Sequence, residues 1–140
     1  MRPVTVLAWL CALLLSACAT LPQRSLYDDL GGEAGVAALV ESLLLRISDD
    51  PRIAHQFATA DILHLNDKLV EQICHVADGP CAYTGKSMAE THASLTISHA
   101  DFNAMVEDLM GAMDDRGVAR SAQNRLLARL AVMRPEIVTP

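Results

Sequence analysis

Between residues 36 and 133 apolar side chains recur at helical spacing, in stripes separated by polar breaks. Val36, Leu39, Val40, Leu43, Leu44 and Ile47 share one face of a first helix, which follows the breaker Gly31-Gly32 and stops at Ser48-Asp49-Asp50-Pro51. A short turn runs on to Phe57. Ile62, Leu65, Leu69, Ile73 and Val76 predict a second helix, broken by Asp78-Gly79-Pro80. A third, short element covers about 87–95. Phe102, Met105, Val106, Leu109, Met110 and Met113 mark a fourth, with Ser98 as N-cap and Gly117 as the stop. The fifth runs from about 121 to 133 with Leu126, Leu127, Leu130 and Ala131 inward, and Pro135 ends it. No segment alternates with period two for long enough to be a strand. The expected class is all-α, with the stripes buried against one another.

The first residues follow a different pattern. Arg2 gives a basic start, Val4 to Leu15 is almost wholly apolar, and Leu15-Ser16-Ala17-Cys18 follows. The run is too short for a membrane span of about 20 residues and reads as a signal-peptide core covering residues 1–17. Its last four residues resemble a bacterial lipobox, in which Cys18 is lipidated and becomes the mature N-terminus. A plain secretory signal is the alternative. Several acyl chains on one cysteine hold a protein firmly at a membrane, where one chain binds only marginally. Ala19 stands where an aspartate would favour inner-membrane retention, so the expectation is an outer-membrane anchor facing the periplasm. Residues 18–25 then serve as a tether and 26–140 as one domain.

Removing residues 1–17 takes away one base, Arg2, and no acid, so the net charge of −6 becomes −7. Nothing basic clusters to neutralise phosphates, which argues against a nucleic-acid partner. Of four cysteines, Cys11 leaves with the signal and Cys18 is acylated. Cys74 and Cys81 remain, bracketing Asp78-Gly79-Pro80. In an oxidising compartment they form a disulfide that fixes the turn leading to Tyr83 and His92. The competing reading is two unpaired buried thiols.

Five histidines stand at 55, 64, 75, 92 and 99. None forms an HExxH-type pair, and Cys74 with Cys81 lacks the further ligands a zinc site needs. No Ser/His/Asp order or phosphate-binding glycine loop stands out. His55, His64 and His99 fall on polar faces or near turns, and His75 lies off the inward stripe. His92 differs. It lies between the stripe carrying Leu65, Leu69 and Ile73 and the stripe carrying Phe102, Val106 and Leu109, at the end of a short helix opened by the turn Tyr83-Thr84-Gly85-Lys86-Ser87. A neutral imidazole in such a slot is the standard fifth ligand to haem iron.

The stretch from about 26 to 133 resembles the group 1 truncated haemoglobins. The resemblance rests on an ordered set: Leu26-Tyr27-Asp28-Asp29-Leu30-Gly31-Gly32, then Asp49-Asp50-Pro51-Arg52-Ile53 leading to Phe57. Gly79-Pro80, Tyr83-x-Gly85-x-x-Met88-x-x-x-His92, Ile97 and Phe102 complete it. It implies a globin-like, truncated two-over-two helical sandwich around haem b. His92 would be the proximal ligand, with Phe57 on the haem face, Met88, Ile97 and Phe102 on the proximal side and Tyr83 near the rim. Phe57, Met88 and Phe102 would also serve as ordinary core.

The departures from the family fall on the distal side. Many members carry a tyrosine where this chain has Leu44 and often a glutamine where it has Leu69; the third distal position is Leu65. Three leucines offer bound oxygen no hydrogen bond, a loss of about 1–3 kcal/mol in a buried site, or roughly five- to a hundredfold in release rate. Lys68 would lie along the haem edge and pair with a propionate, or act as a sixth ligand through its neutral amine. Gln72, one turn beyond Leu69, could swing toward a bound gas. Asp78-Gly79 replaces the family's glycine pair, and with no histidine after His99 a covalent haem link from the last helix is excluded. The function implied is reversible binding of oxygen, NO or CO, with electrons from a reductase of unknown identity. A haem enzyme that detoxifies NO or peroxide, and a structural lipoprotein without haem, are the competing readings.

Overall fold

The computed structural model describes residues 24–139; the signal segment and Cys18 lie outside the described residues. The chain forms α1 (Leu26–Asp29), α2 (Gly32–Asp49), a 3₁₀ turn (Ala54–Phe57), α3 (Ile62–Val76), α4 (Met88–His92), α5 (His99–Asp115), α6 (Arg120–Ala131) and α7 (Arg134–Ile137). No strand occurs among the described residues, and no helix there is long and apolar enough to cross a membrane.

The helix stripes find one another. α2 packs on α5 and α3, while α6 packs on α3 and α5, so the pair α2/α3 lies over the pair α5/α6. Val36, Leu39, Val40, Leu43 and Ile47 of α2 meet Ala104, Leu109, Ala112 and Met113 of α5 in one core with Ile73 and Cys74 of α3 and Ala122 and Leu126 of α6. Each large aliphatic side chain buried there stabilises the fold by about 1.5–3 kcal/mol.

The helix ends are set by local chemistry. Asp61 accepts from the backbone N–H of His64 to start α3. Ser87 with Glu90, and Ser98 with Asp101, form reciprocal capping boxes that start α4 and α5. At the end of α5, Gly117 takes φ 66°. Its N–H donates to the Asp114 carbonyl at 3.0 Å and that of Val118 to the Met113 carbonyl at 2.9 Å, the Schellman arrangement.

Four expectations need correction. Pro135 does not end the fifth helix: α6 stops at Ala131, and Pro135 sits in the first turn of a separate helix, α7, where its missing N–H has no intrahelical partner to lose. Ile62 is 48% exposed because it opens α3 beside the 80% exposed Leu63, past the packed layer. Met110 is 36% exposed, lying about 100° round the helix from the buried Leu109 and so at the margin of the stripe. Ala131 is exposed at the last position of α6. Gln123 is buried instead, donating to Asp114 Oδ1 at 2.8 Å and the Val118 carbonyl at 2.9 Å.

Candidate functional site

The segment before α4 is folded back onto α3 and fixed there. Cys74, buried on α3, is disulfide-bonded to Cys81, with their Cα atoms 5.8 Å apart. Between them Asp78 takes a left-handed φ of 61°, which aspartate tolerates, and pairs with Arg129 of α6 at 2.7 Å. Gly79 passes so close to the Cys74 sulfur and the Tyr27 ring that a Cβ would stand 2.6 Å from each. Further on, the Tyr83 ring lies over Gly85 and its hydroxyl donates to the Lys86 carbonyl at 2.7 Å. Burial raises the pKa of that phenol. Tyr83 therefore locks the turn that leads into the Ser87 capping box.

His92 ends α4 half-buried. Its Nδ1 lies 2.8 Å from the Met88 carbonyl, one turn back. A carbonyl only accepts, so this contact puts the proton on Nδ1 and leaves the Nε2 lone pair free. The short helix thereby orients the imidazole, as a hydrogen bond to the other ring nitrogen does for a ligating histidine.

Leu65, Lys68, Leu69 and Gln72 share one face of α3 at spacings of three and four. That face looks toward α4 and the segment before it: Gln72 Nε2 reaches the sulfurs of Met88 and Met133 at 3.3 and 3.4 Å, and Lys68 reaches Thr84 at 2.7 Å. Leu44, Phe57, Leu65, Leu69, Met88 and Phe102 are all half-buried, and Ile97 is buried. Leu44, Phe57 and Leu69 lean on the core without being enclosed by it.

Lys68 is already committed. Its ammonium donates to Glu71 Oε1 at 2.8 Å as well as to Thr84, and Glu71 Oε2 accepts from the N–H and hydroxyl of Thr84 at 3.0 and 2.8 Å. The Lys68 hydrogen bond and then those of Thr84 hold the Glu71 carboxyl at a pKa of about 2. Glu71 and Thr84 were missed in the sequence. The i,i+3 spacing of Lys68 and Glu71 was a legible signal; the contact with Thr84 depends on how the disulfide loop folds back.

The α4 side is braced by a segment that left no stripe. α7 packs against α4. The Arg134 guanidinium lies 5.3 Å from the Phe102 ring centroid and donates to His99 Nδ1 at 2.9 Å. The Thr139 N–H donates to the Ile97 carbonyl at 2.9 Å, and the Ile97 N–H to the Thr139 hydroxyl at 3.2 Å. His55, His64, His75 and His99 are exposed.

Residues 25–139 match the bacterial-like globin family. The chain is a bacterial-like globin. Within that family it is 32% identical to the group 1 truncated haemoglobin GlbN of Nostoc commune over 81% of this chain and 97% of the relative, which makes it a group 1 truncated haemoglobin. Its fold is similar to the Fe(III) form of the truncated haemoglobin from Tetrahymena pyriformis, with a TM-score of 0.80 and 25% identity over 84% of this chain and all of that one. It is also similar to THB1 of Chlamydomonas reinhardtii, with a TM-score of 0.72 and 31% identity over 85% of this chain and all of that one.

Haem b is the cofactor of this family, and the donor set of this globin suits it. Among the described residues no three His, Cys, Asp or Glu side chains are grouped to hold a bare ion. One oriented imidazole beside half-buried apolar side chains suits an iron whose other four equatorial ligands come from a porphyrin.

Proposed function

We propose that this truncated globin binds haem b through His92 and reversibly binds a diatomic gas on the opposite, leucine-lined side. The observation that carries the reading is the Nδ1 contact of His92 with the Met88 carbonyl, which leaves Nε2 as the free donor of the site. Haem supplies the iron to which a gas binds. The chain's residues orient the imidazole, enclose the apolar faces and restrict water. Leu44, Leu65 and Leu69 provide no hydrogen-bond donor, and the Lys68 ammonium is engaged by Glu71 and Thr84. Oxygen is then held without a polar clamp and released quickly, and the preference tilts toward CO and NO, which depend less on a donor. Peroxide cleavage, which needs an acid–base group near the ligand, is disfavoured by the same three leucines.

The test is rapid mixing of the dithionite-reduced protein with CO and with oxygen. The reading expects reversible spectral change with both gases and faster release of oxygen than in a Leu44→Tyr variant. A protein that takes up haem but shows no change with either gas would refute it.

The cellular placement belongs to the same proposal. Cys18 is the lipidated residue and anchors the domain to the outer membrane, facing the periplasm, where a reductase returns the iron to the ferrous state. Support comes from the lipobox-like Leu15-Ser16-Ala17-Cys18, from Ala19, and from a Cys74–Cys81 disulfide suited to an oxidising compartment. Membrane fractionation checks it: Cys18→Ala moves the protein out of the membrane fraction, and an unchanged distribution would contradict the anchor.

A further inference from the structure

The chain that leads from α3 into α4 is fastened at few points. From Pro80 to Lys86, two residues make directional bonds to the rest of the described residues. Cys81 is joined to Cys74 by the disulfide, and its carbonyl lies 3.4 Å from His75 Nδ1. Thr84 is held by Glu71 and Lys68. All four anchoring residues stand on α3.

The turn before this segment has bonds of its own. The Asp78 N–H donates to the His75 carbonyl at 3.1 Å and that of Gly79 to the Cys74 carbonyl at 2.8 Å, while Arg129 of α6 pairs with Asp78. Opening the S–S bond therefore leaves α3, its turn and the core in place. It removes one of two anchors from the lead into α4 and leaves Thr84 as the other. A bond whose loss loosens one segment and spares the core has the character of a switch.

The two cysteines are also unequal. Cys74 is 1% exposed within the core, whereas Cys81 is half-buried between the exposed Pro80 and Ala82, with the exposed His75 ring beside it. Exchange begins at the sulfur that an outside thiolate can approach, and the enclosed one then leaves. An imidazole next to the outer cysteine can hand over a proton.

We propose that Cys74–Cys81 is a reversible thiol–disulfide exchange site, through which a protein dithiol sets how firmly the lead into α4 is held. One thiolate of the dithiol attacks the Cys81 sulfur; the S–S bond breaks, and the Cys74 sulfur leaves with the bonding pair and takes a proton. The dithiol's second sulfur then attacks its own partner, closing the dithiol's disulfide and expelling Cys81 as a thiolate that His75 protonates. Two electrons pass: this disulfide is reduced to two thiols and the dithiol is oxidised. Exchange with an oxidised dithiol closes the link again. The consequence for haem rests on His92 being its ligand, as proposed above; the exchange itself does not.

The experiment reduces the haem-loaded, undenatured protein with dithiothreitol, removes the reductant without air, and reads three things. Mass analysis after iodoacetamide should find Cys81 alkylated first and Cys74 slowly, and air oxidation should restore the disulfide. Tryptic cleavage after the exposed Lys86 should be about tenfold faster than in the oxidised protein, with cleavage after the exposed Arg116 unchanged. Transfer of haem to excess apomyoglobin should be a few-fold faster. Glu71→Gln, which weakens the second anchor, should enlarge the effect of reduction at Lys86. Cys74→Ala with Cys81→Ala should behave as the reduced protein and ignore dithiothreitol. In the single variants, Cys81 should take glutathione from its disulfide and Cys74 should not. A disulfide that resists dithiothreitol until the protein is denatured, unchanged cleavage after Lys86, or equal acceleration after Lys86 and Arg116 would overturn the proposal. Faster cleavage after Lys86 with unchanged haem transfer would uphold the exchange site and count against His92 as the ligand.

Discussion

The α4 side of the molecule and the leucine-bearing faces of α2 and α3 are built from different forces. On the α4 side nearly every feature is pinned by a directional bond: the Cys74–Cys81 link, Tyr83 on the Lys86 carbonyl, the two capping boxes, His92 on Met88, and Thr139 on Ile97. On the facing side Leu44, Leu65 and Leu69 offer only dispersion contacts and half-buried surface. Directional bonds fix where the His92 imidazole points and tolerate little change. Apolar contacts leave the leucine-bearing side adjustable one residue at a time. Under the proposed function, the contrast makes coordination a matter of backbone bonds and preference among gases a matter of three side chains.

Breaking the pinned side should cost the most stability. Cys74→Ser with Cys81→Ser, or reduction of the native protein, should lower stability by about 2–3 kcal/mol through the loss of a short closed loop. That corresponds to a drop of about 10 °C in Tm for a domain of this size, read by thermal melting with and without reductant. An unchanged Tm would mean that the loop holds without its covalent link.

Sharpening the apolar side should give the next effect. Leu44→Tyr introduces a donor, and stopped-flow measurement should find oxygen release slowed by roughly five- to a hundredfold, the weight of about 1–3 kcal/mol. CO release should change far less. Equal slowing of both gases would point to a steric effect and weaken the contrast.

Smaller still, Ser87→Ala and Ser98→Ala each remove one half of a capping box and should cost about 1 kcal/mol. The Ser87 variant should also broaden the haem spectrum, because that cap starts the helix carrying His92.

The smallest effect is pH-dependent. The carboxyl of Glu71 has its pKa lowered from 4.5 to about 2, chiefly by Lys68 and then by Thr84. A depressed folded-state pKa contributes stability above the unfolded value, lost as pH falls from about 4.5 toward 2. Glu71→Gln should therefore melt earlier than wild type at pH 7, and the gap should narrow below about pH 4.5 and close only near pH 2. Asp108 has the opposite sign. Burial, and then Asp50, raise its pKa, so its cost appears as pH rises above its unfolded value, and Asp108→Asn should gain stability at neutral pH and little in acid.

The sequence made some of this architecture legible and hid the rest. The stripes of α2, α3, α5 and α6 could be read because each has several turns in which to repeat, and Ser98 and Gly117 announced the ends of α5. α1 and α7 are four residues each, too short to show a period, although Leu26 is wholly buried and Arg134 stacks on Phe102. His92 stood out through its setting between two stripes and its match to a family pattern. Glu71 and Thr84 did not, because what joins them to Lys68 is a loop folded back on α3, a tertiary fact with no local period. The environment of Asp108 was equally hidden: a lone acid in a helix pattern looks solvated until the neighbouring arginines prove to be bound elsewhere.

The central claim is that His92 carries the iron, and the direct measurement is the absorption spectrum of His92→Gly with and without added imidazole. The account predicts that the variant loses the wild-type Soret band and that imidazole, filling the space of the missing side chain, restores it. A Soret band unchanged in His92→Gly, or haem binding indifferent to imidazole, would contradict it.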